Sequence, residues 1–291
     1  VLKELWTLLD IAETFPALSL NETPRHIFTS LYASESDAII FTGKYQNALD
    51  IHQKCPDSLL LYNGSGVNPF LLLPSADLQL AAKKSVEMRC FNSGQDCAGP
   101  DAFFVHESNL DEYVDLLKSE LGYIKVGDTT DPNVRVGPTV KEAYIAELVD
   151  WIQREEVSII WGGEIDTKQH FVHPTIAVSK FAELENVEFH EFFAPFFRVI
   201  SYADESELEQ LSQNDPFRER SMYLSVFGEN EPMLQKFDTV KILQNTIVND
   251  VERGNDEYGG DGGKGKLFLF ADPEGGGAGP APGGRGPDPS H

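Results

Sequence analysis

The sequence predicts an α/β fold built on a parallel sheet, and two observations carry the prediction. Short apolar runs such as Asp37 to Phe41 and Ser58 to Tyr62 alternate with a longer segment of helical character, Tyr45 to Gln53. The same alternation returns at larger scale over residues 67–250. Strands that alternate with helices are joined by crossovers, and crossovers make neighbouring strands parallel.

Residues 1–66 read as a helix from Leu2 to Ala12, a loop, a strand from Asp37 to Phe41, a helix from Tyr45 to Gln53 and a strand from Ser58 to Tyr62. Beyond them, helices are expected at 77–91, 109–122, 140–153, 205–213 and 231–237, and strands near 70–73, 102–106, 157–161, 195–201, 222–227 and 245–249. The helix at 77–91 is well marked, because Leu78, Ala81, Ala82, Val86 and Cys90 recur at helical spacing. From Gly254 the composition changes abruptly, and the run that begins Gly275-Gly276-Gly277 has too little apolar content to order itself. Three parts are therefore expected: 1–66, 67–250, and a C-terminal segment 251–291 whose Gly/Pro-rich tail is disordered from about residue 272.

Composition bounds the function. A chain of 291 residues buries a sizeable core and has room for two domains. Its net charge of −24 argues against a nucleic-acid or anionic-membrane partner. Three cysteines, Cys55, Cys90 and Cys97, and seven scattered histidines give neither a disulfide framework nor a zinc pattern. His170 and His173 stand three apart at a strand entry and should not share a face, so no metal site is expected. No run approaches the ~18 apolar residues of a membrane span. The start, Val1-Leu2-Lys3-Glu4, lacks the basic-then-apolar layout of a signal peptide. These features describe a soluble, cytoplasmic protein.

Cys97 is the residue whose surroundings suit covalent chemistry. It closes the run Phe91-Asn92-Ser93-Gly94-Gln95-Asp96-Cys97, just past the end of the helix at 77–91, and Gly94 lets the backbone turn sharply there. Such a loop suits a nucleophile whose adduct needs a nearby N–H donor for its oxyanion. The alternative is a buried structural cysteine, because free cysteine is among the most buried residue types.

Several segments, in order, carry a family resemblance. They are Phe41-Thr42-Gly43, Gly66-Val67-Asn68-Pro69 with Ala76-Asp77-Leu78, the cysteine loop itself, Val105-His106-Glu107-Ser108, Val126-Gly127-Asp128 and Val136-Gly137-Pro138. Gly162-Gly163, Pro174-Thr175, Glu191-Phe192-Phe193-Ala194-Pro195 and Val248-Asn249 continue the series. Together they make residues from about 38 to 260 resemble the aldehyde dehydrogenase superfamily. The resemblance implies an aldehyde-dehydrogenase-like fold, with a catalytic domain on a parallel sheet and a remnant of a Rossmann-type cofactor domain.

It also implies a chemistry. The Cys97 thiolate would attack an aldehyde carbonyl, its backbone N–H and a side-chain amide would hold the oxyanion, and hydride would leave to NAD or NADP to give a thioester. Glu191 falls where the family has a glutamate that accepts hydrogen bonds from the nicotinamide ribose, and Phe193 where a phenylalanine contacts the nicotinamide side. A carboxylate suits a ribose diol because it accepts from both hydroxyls. The plain alternative makes Glu191 an ordinary loop charge and three of Phe192, Phe193, Phe196 and Phe197 core residues. Gly43 and Lys44 fall in the family's cofactor turn.

The chain departs from the family pattern in three places. Members carry roughly a further domain of chain before the point where Val1 stands, so an N-terminally truncated, partly degenerate member is expected, with its homo-oligomer weakened. In the cofactor turn Lys44 replaces a small hydroxyl residue and Ala48 a second glycine. Asn63 stands where hydrolytic members have the glutamate that activates water, and asparagine takes no proton at neutral pH. Asn63 therefore points either to acyl transfer to a thiol such as CoA or to a copy that no longer turns over. Glu188 is a conceivable substitute base. Glu257-Tyr258-Gly259-Gly260 resembles the family's Gly-rich turn, and Lys266 to Phe270 the strand that pairs with a neighbouring subunit. Two functions follow: oxidation of a small aldehyde, or the reverse acyl reduction, through Cys97; or a non-catalytic paralogue with a structural or interaction role.

Overall fold

Sequence runs that are apolar at every position become strands covered on both faces. The computed structural model describes residues 2–63, 66–155, 157–184, 189–214, 217–218, 221–237, 241–253 and 266–269. The chain divides into two compact units, one comprising the chain up to Tyr62 with the stretch from Phe268, the other Asn63–Leu267.

In the first unit, α1 (Leu2–Leu8) and α2 (Ile11–Thr14) replace the single helix expected to Ala12. Asp10 interrupts them, because it takes the left-handed conformation at φ 47°. A helix that the sequence did not signal, α3 (Arg25–Leu31), follows Pro24. Then come β1 (Ala38–Thr42), α4 (Tyr45–Lys54) and β2 (Leu59–Asn63), as expected. Ala48, Ile51 and Cys55 recur at helical spacing and are buried, as are Ile39 of β1 and Leu60 and Tyr62 of β2. A third strand, Lys266–Leu269, lies beside β2 at the edge of this three-stranded sheet.

The second unit is organised by a seven-stranded sheet. Its elements are β3 (Pro69–Leu72), α5 (Leu78–Cys90), β4 (Ala102–His106), α6 (Leu110–Leu121), α7 (Glu142–Arg154) and β5 (Ser158–Trp161). A short hairpin, β6 (Ile165–Asp166) and β7 (Phe171–Val172), leads to β8 (Thr175–Lys180) and β9 (Phe196–Tyr202). They are followed by α8 (Glu205–Gln213), β10 (Tyr223–Phe227), α9 (Glu231–Leu234), β11 (Lys241–Gln244) and α10 (Val248–Val251). The sheet order is β11-β10-β3-β4-β9-β8-β5. All its pairings are parallel except the antiparallel edge pair β5–β8.

Alternation along the strands builds a core on each face. On one face a row of phenylalanines crosses four adjacent strands: Phe227 to Phe70 at 4.8 Å between ring centroids, Phe70 to Phe103 at 5.2 Å and Phe103 to Phe197 at 5.4 Å. These rings pack with Ala82 and Val86 of α5 and Leu117 of α6. Leu71, Phe104, Ile200 and Leu224 point to the other face and pack with Leu208 and Leu211 of α8. Cross-strand aromatic pairs of this kind fix register as well as bury area.

Two expectations need correction. The strand expected at 245–249 is instead β11 at Lys241–Gln244, followed by the helical turn α10. The β-branched run Thr246-Ile247-Val248 imitates a strand, but Asn245 at φ 54° turns the chain away first. The interior strand β8 gave no signal, because Pro174 just ahead of it reads as a breaker although a proline is tolerated at a strand's entry. The residues from 254 to 265 and beyond 269, including the Gly-rich turn, Phe270 and the tail, lie outside the described residues.

Asn68 ties the amino ends of three strands together. It is 3% exposed. Its backbone N–H donates to Asp101 Oδ2 at 2.8 Å while its carbonyl accepts from the Asp101 N–H at 3.1 Å, linking the entries of β3 and β4. Its side-chain oxygen accepts from the Tyr223 N–H at the start of β10, 3.2 Å away. Its Nδ2 donates to the carbonyls of Cys97, at 2.7 Å, and Gly99, at 3.3 Å. An Asn68→Ala variant strands these buried groups, each costing about 1–3 kcal/mol when unsatisfied. Urea unfolding should show a loss of about 3 kcal/mol or more; a loss below about 1 kcal/mol would mean that water replaces the amide.

Candidate functional site

The site grows from the end of α5. Asp77 caps this helix, its side chain accepting from the Leu80 N–H at 3.0 Å. The helix stops where Asn92 (φ 46°), Ser93 (φ 60°) and Gly94 (φ 76°) take left-handed conformations in succession. Three such residues reverse the chain and set Cys97 in the link between α5 and β4. Cys97 is half-buried, in contrast to the buried Cys55 and Cys90.

Gly94 is required twice over. Beyond its positive φ, a Cβ there would lie 2.3 Å from the Ala194 carbonyl carbon and 2.7 Å from the Pro195 nitrogen. The cysteine loop therefore lies flush against the backbone of Glu191-Phe192-Phe193-Ala194-Pro195, which leads into β9. Neighbouring contacts fix the rest of the loop. Ser93 Oγ accepts from the Gly137 N–H at 2.8 Å, and Gln95 Oε1 from the Val140 N–H at 2.8 Å. Gly66 is held without a side chain, since a Cβ would meet the Cys97 carbonyl oxygen at 2.5 Å and Met222 Sδ at 2.5 Å.

The segments that carry the two expected landmarks are thus in backbone contact, at Gly94 on one and at Ala194 and Pro195 on the other. Among the four aromatics, Phe192, Phe196 and Phe197 are buried, at 3%, 0% and 0% exposure, and Phe193 is half-buried. Phe193 packs its ring 4.8 Å from that of Tyr144 on α7, while Phe192 meets Trp151 edge-on at 4.9 Å. Glu191 is half-buried beside them.

The other expected residues stand elsewhere. Gly43 and Lys44 form the turn between β1 and α4 in the first unit, where Tyr62 Oη donates to the Gly43 carbonyl at 2.8 Å and the Phe41 and Tyr62 rings stack. A Cβ at Gly43 would lie 2.8 Å from the Phe41 ring. Ala48 is 0% exposed, so its methyl group belongs to the packing of α4. Asn63 is the last residue of β2, and its side chain lies outside the described residues. Glu188 lies outside them altogether. Among the described residues no cluster of His, Cys, Asp and Glu is arranged to hold a metal ion, and no helix is long and apolar enough to cross a membrane.

One residue that sequence reasoning missed is Arg89, 1% exposed. Its Nε donates to the Phe196 carbonyl at 3.1 Å and its Nη2 to the Phe192 carbonyl. Burial pulls the guanidinium pKa below its ordinary value, and the acidic groups of Asp101, Cys90, Asp96 and Glu191 pull the other way. The signal was in the helical phase, because Arg89 falls three residues after Val86 on the apolar stripe. A cation there is easily read as a partner for the helix dipole.

The thiols differ in chemistry. Burial pushes Cys90 up to about 12 despite the nearby cations Arg89 and Arg135, and burial also raises Cys55 against the pull of Lys54. Cys90 lines an open cleft of about 1060 Å³, with Phe91, Asn92, Tyr123 and Arg135 among the other lining residues; Cys97 does not line it.

Comparison with known proteins agrees with this architecture. The sequence model of the aldehyde dehydrogenase family matches residues 24–263. A succinate-semialdehyde dehydrogenase [NADP(+)] of Mycobacterium ulcerans is 28% identical over 192 residues, which cover 65% of this chain and 39% of that one. The chain thus spans well under half the length of the curated relatives it matches. Proline utilization A from Bradyrhizobium japonicum superposes with a TM-score of 0.77 at 23% identity, over 92% of this chain and 28% of that one. An NADP-dependent glyceraldehyde-3-phosphate dehydrogenase from Bacillus halodurans C-125, complexed with NADP, gives 0.63 at 23%, over 76% and 46%. With a matched family model over most of its length and this α/β architecture beneath it, the chain belongs to the aldehyde dehydrogenase family.

Proposed function

We propose that this chain carries the thiol half-reaction of an NAD(P)-dependent aldehyde dehydrogenase, with Cys97 as nucleophile and a small aldehyde or acyl compound as substrate. The observation that carries the reading is the contact of Gly94 with Ala194 and Pro195, which sets the cysteine loop against the segment that bears Glu191. A merely structural cysteine needs no such loop.

Each unit, taken by itself, carries residues whose chemistry suits a part of the cofactor. Glu191 offers a half-buried carboxylate that can accept from a ribose diol. The strand–glycine–helix turn at Gly43 and Lys44 is of the kind that presents backbone N–H groups and a cation to phosphate. Bound NAD or NADP supplies the hydride acceptor that turns an adduct on Cys97 into a thioester. The chain's own part is to hold the thiol. Asn68 occupies the Cys97 carbonyl and keeps the sulfur's backbone from turning over, while Ser93 and Gln95 pin the loop to Gly137 and Val140.

Asn63 sets the fate of the thioester in this reading. An amide cannot draw a proton from water, so deacylation by water is slow and a thiol acceptor such as CoA is favoured. The competing reading is a non-catalytic family member with a structural or interaction role. It is favoured by Asn63, whose amide cannot serve as the general base of deacylation.

Three outcomes test these proposals. Iodoacetamide at pH 8 followed by peptide mapping should label Cys97 first; a thiol with its pKa near 12, such as Cys90, is ionised at that pH to about one part in ten thousand. Faster labelling of Cys90 would remove Cys97 as nucleophile. Replacing Glu191 with Gln should weaken NAD(P)H binding, followed by fluorescence, by about 1–3 kcal/mol, and an unchanged dissociation constant would make Glu191 a plain loop charge. With p-nitrophenyl acetate the protein should give a burst and then slow release. Asn63→Glu should speed that release by ~10²–10⁴-fold, as a positioned general base does, and CoA should speed it in the unmodified protein. Absence of any burst favours the non-catalytic reading.

A further inference from the structure

We propose that Arg89 is a positioning residue that locks the cysteine loop to the Glu191 segment, so that the two move as one body. The inference rests on the proposed roles of Cys97 and Glu191 and goes beyond them. Its basis is geometric. Arg89 stands one residue before Cys90 at the end of the helix that leads into the cysteine loop, and its guanidinium bonds two carbonyls of one segment more than a hundred residues away in sequence, those of Phe192 and Phe196. These carbonyls flank Ala194 and Pro195, the residues against which Gly94 is pressed. The third nitrogen lies beside Gly99, two residues past Cys97, where an added Cβ would stand 3.2 Å from Arg89 Nη1.

A planar fork with five donors reaches two carbonyls in fixed directions, which a lysine's single ammonium cannot do. The surroundings of the fork are acidic on both sides of the joint. Asp96 and Asp101 bracket the cysteine loop and Glu191 begins the facing segment, and all three act electrostatically on the guanidinium. Here the acidic groups come from both stretches that the fork joins, so the charge opposes their separation.

The locking role predicts that a disturbance at the loop is felt at the segment. In the unmodified protein, amide hydrogen exchange measured by mass spectrometry before and after carbamidomethylation of Cys97 should differ in peptides covering Phe192–Phe196, by at least threefold in rate. Peptides of α8, on the opposite face of the sheet, should not differ. Equal exchange at Phe192–Phe196 in the two states overturns the proposal without any variant. Arg89→Lys keeps the charge and loses the fork. Circular dichroism should show it folded, and its Cys97 alkylation rate should change by about tenfold with a displaced pH profile. A folded Arg89→Lys protein with the parent's profile also overturns the proposal. Neither readout uses cofactor or turnover. A protein that lacks the acyl burst yet shows the coupled exchange would refute the enzyme reading and leave the lock in place.

Discussion

The hydrogen bond from Asn68 to the Cys97 carbonyl is the constraint on which the rest of this unit depends. A loop of consecutive left-handed residues has no ladder of its own, so its backbone groups must find partners outside it. One buried side-chain amide supplies two of them and receives the N–H of Tyr223 in return. Because Asn68 and Tyr223 open neighbouring strands, the position of the sulfur is referred directly to the sheet. The loop is therefore as rigid as the strands beneath it, although it carries no regular structure.

That arrangement puts the proposed nucleophile at an end of the sheet where ligands are not usually expected. In open α/β sheets, sites gather outside the carboxyl ends of the strands, where helix amino termini converge. Here the cysteine loop enters β4, Ala194 and Pro195 enter β9, Asn68 enters β3 and Met222 enters β10, all at amino ends. The carboxyl ends of β4 and β9 lead into α6 and α8 through turns in which Asn109 Nδ2 donates to the Leu73 carbonyl and Asp204 caps α8 by accepting from the Ser206 N–H. Glycines at 66 and 94 take the place of a phosphate-binding loop, because they admit backbone against backbone and not backbone against an anion.

Much of this was legible in the sequence, for reasons that differ from residue to residue. The alternation of strands and helices and the fully apolar strand β3 followed from burial on both faces. The helix before the cysteine loop was marked by its apolar stripe. What escaped was what depends on distant partners. Arg89 passed without notice because nothing local says that two carbonyls from beyond residue 190 will meet it. β8 was hidden behind Pro174, and α10 behind a β-branched run that a single left-handed asparagine overrides. The motif Gly66-Val67-Asn68-Pro69 was recognised as a pattern, but the reason for each member became visible only with Cys97 and Met222 in contact with Gly66. Lys44 and Ala48 were noticed as departures; Ala48 proves to be ordinary packing within α4.

The strand order carries a consequence for biogenesis. β3 and β4 pair with little chain between them, and the Asn68 contacts to Cys97 and Asp101 close loops of 29 and 33 residues. The partner on the other side of β3 is β10, and the Tyr223 contact to Asn68 spans 155 residues. Loop-closure entropy favours the short connections, so the long pairing forms late in folding and late in synthesis. A nascent chain that has emerged as far as β4 already holds the Asn68 contacts to Cys97 and Asp101, while the loop's partners at Gly137, Val140 and Ala194 are still to come and one edge of β3 stays open until β10 arrives. That exposed edge is a place where a ribosome-bound chain is vulnerable to wrong strand pairing and where a chaperone finds its substrate.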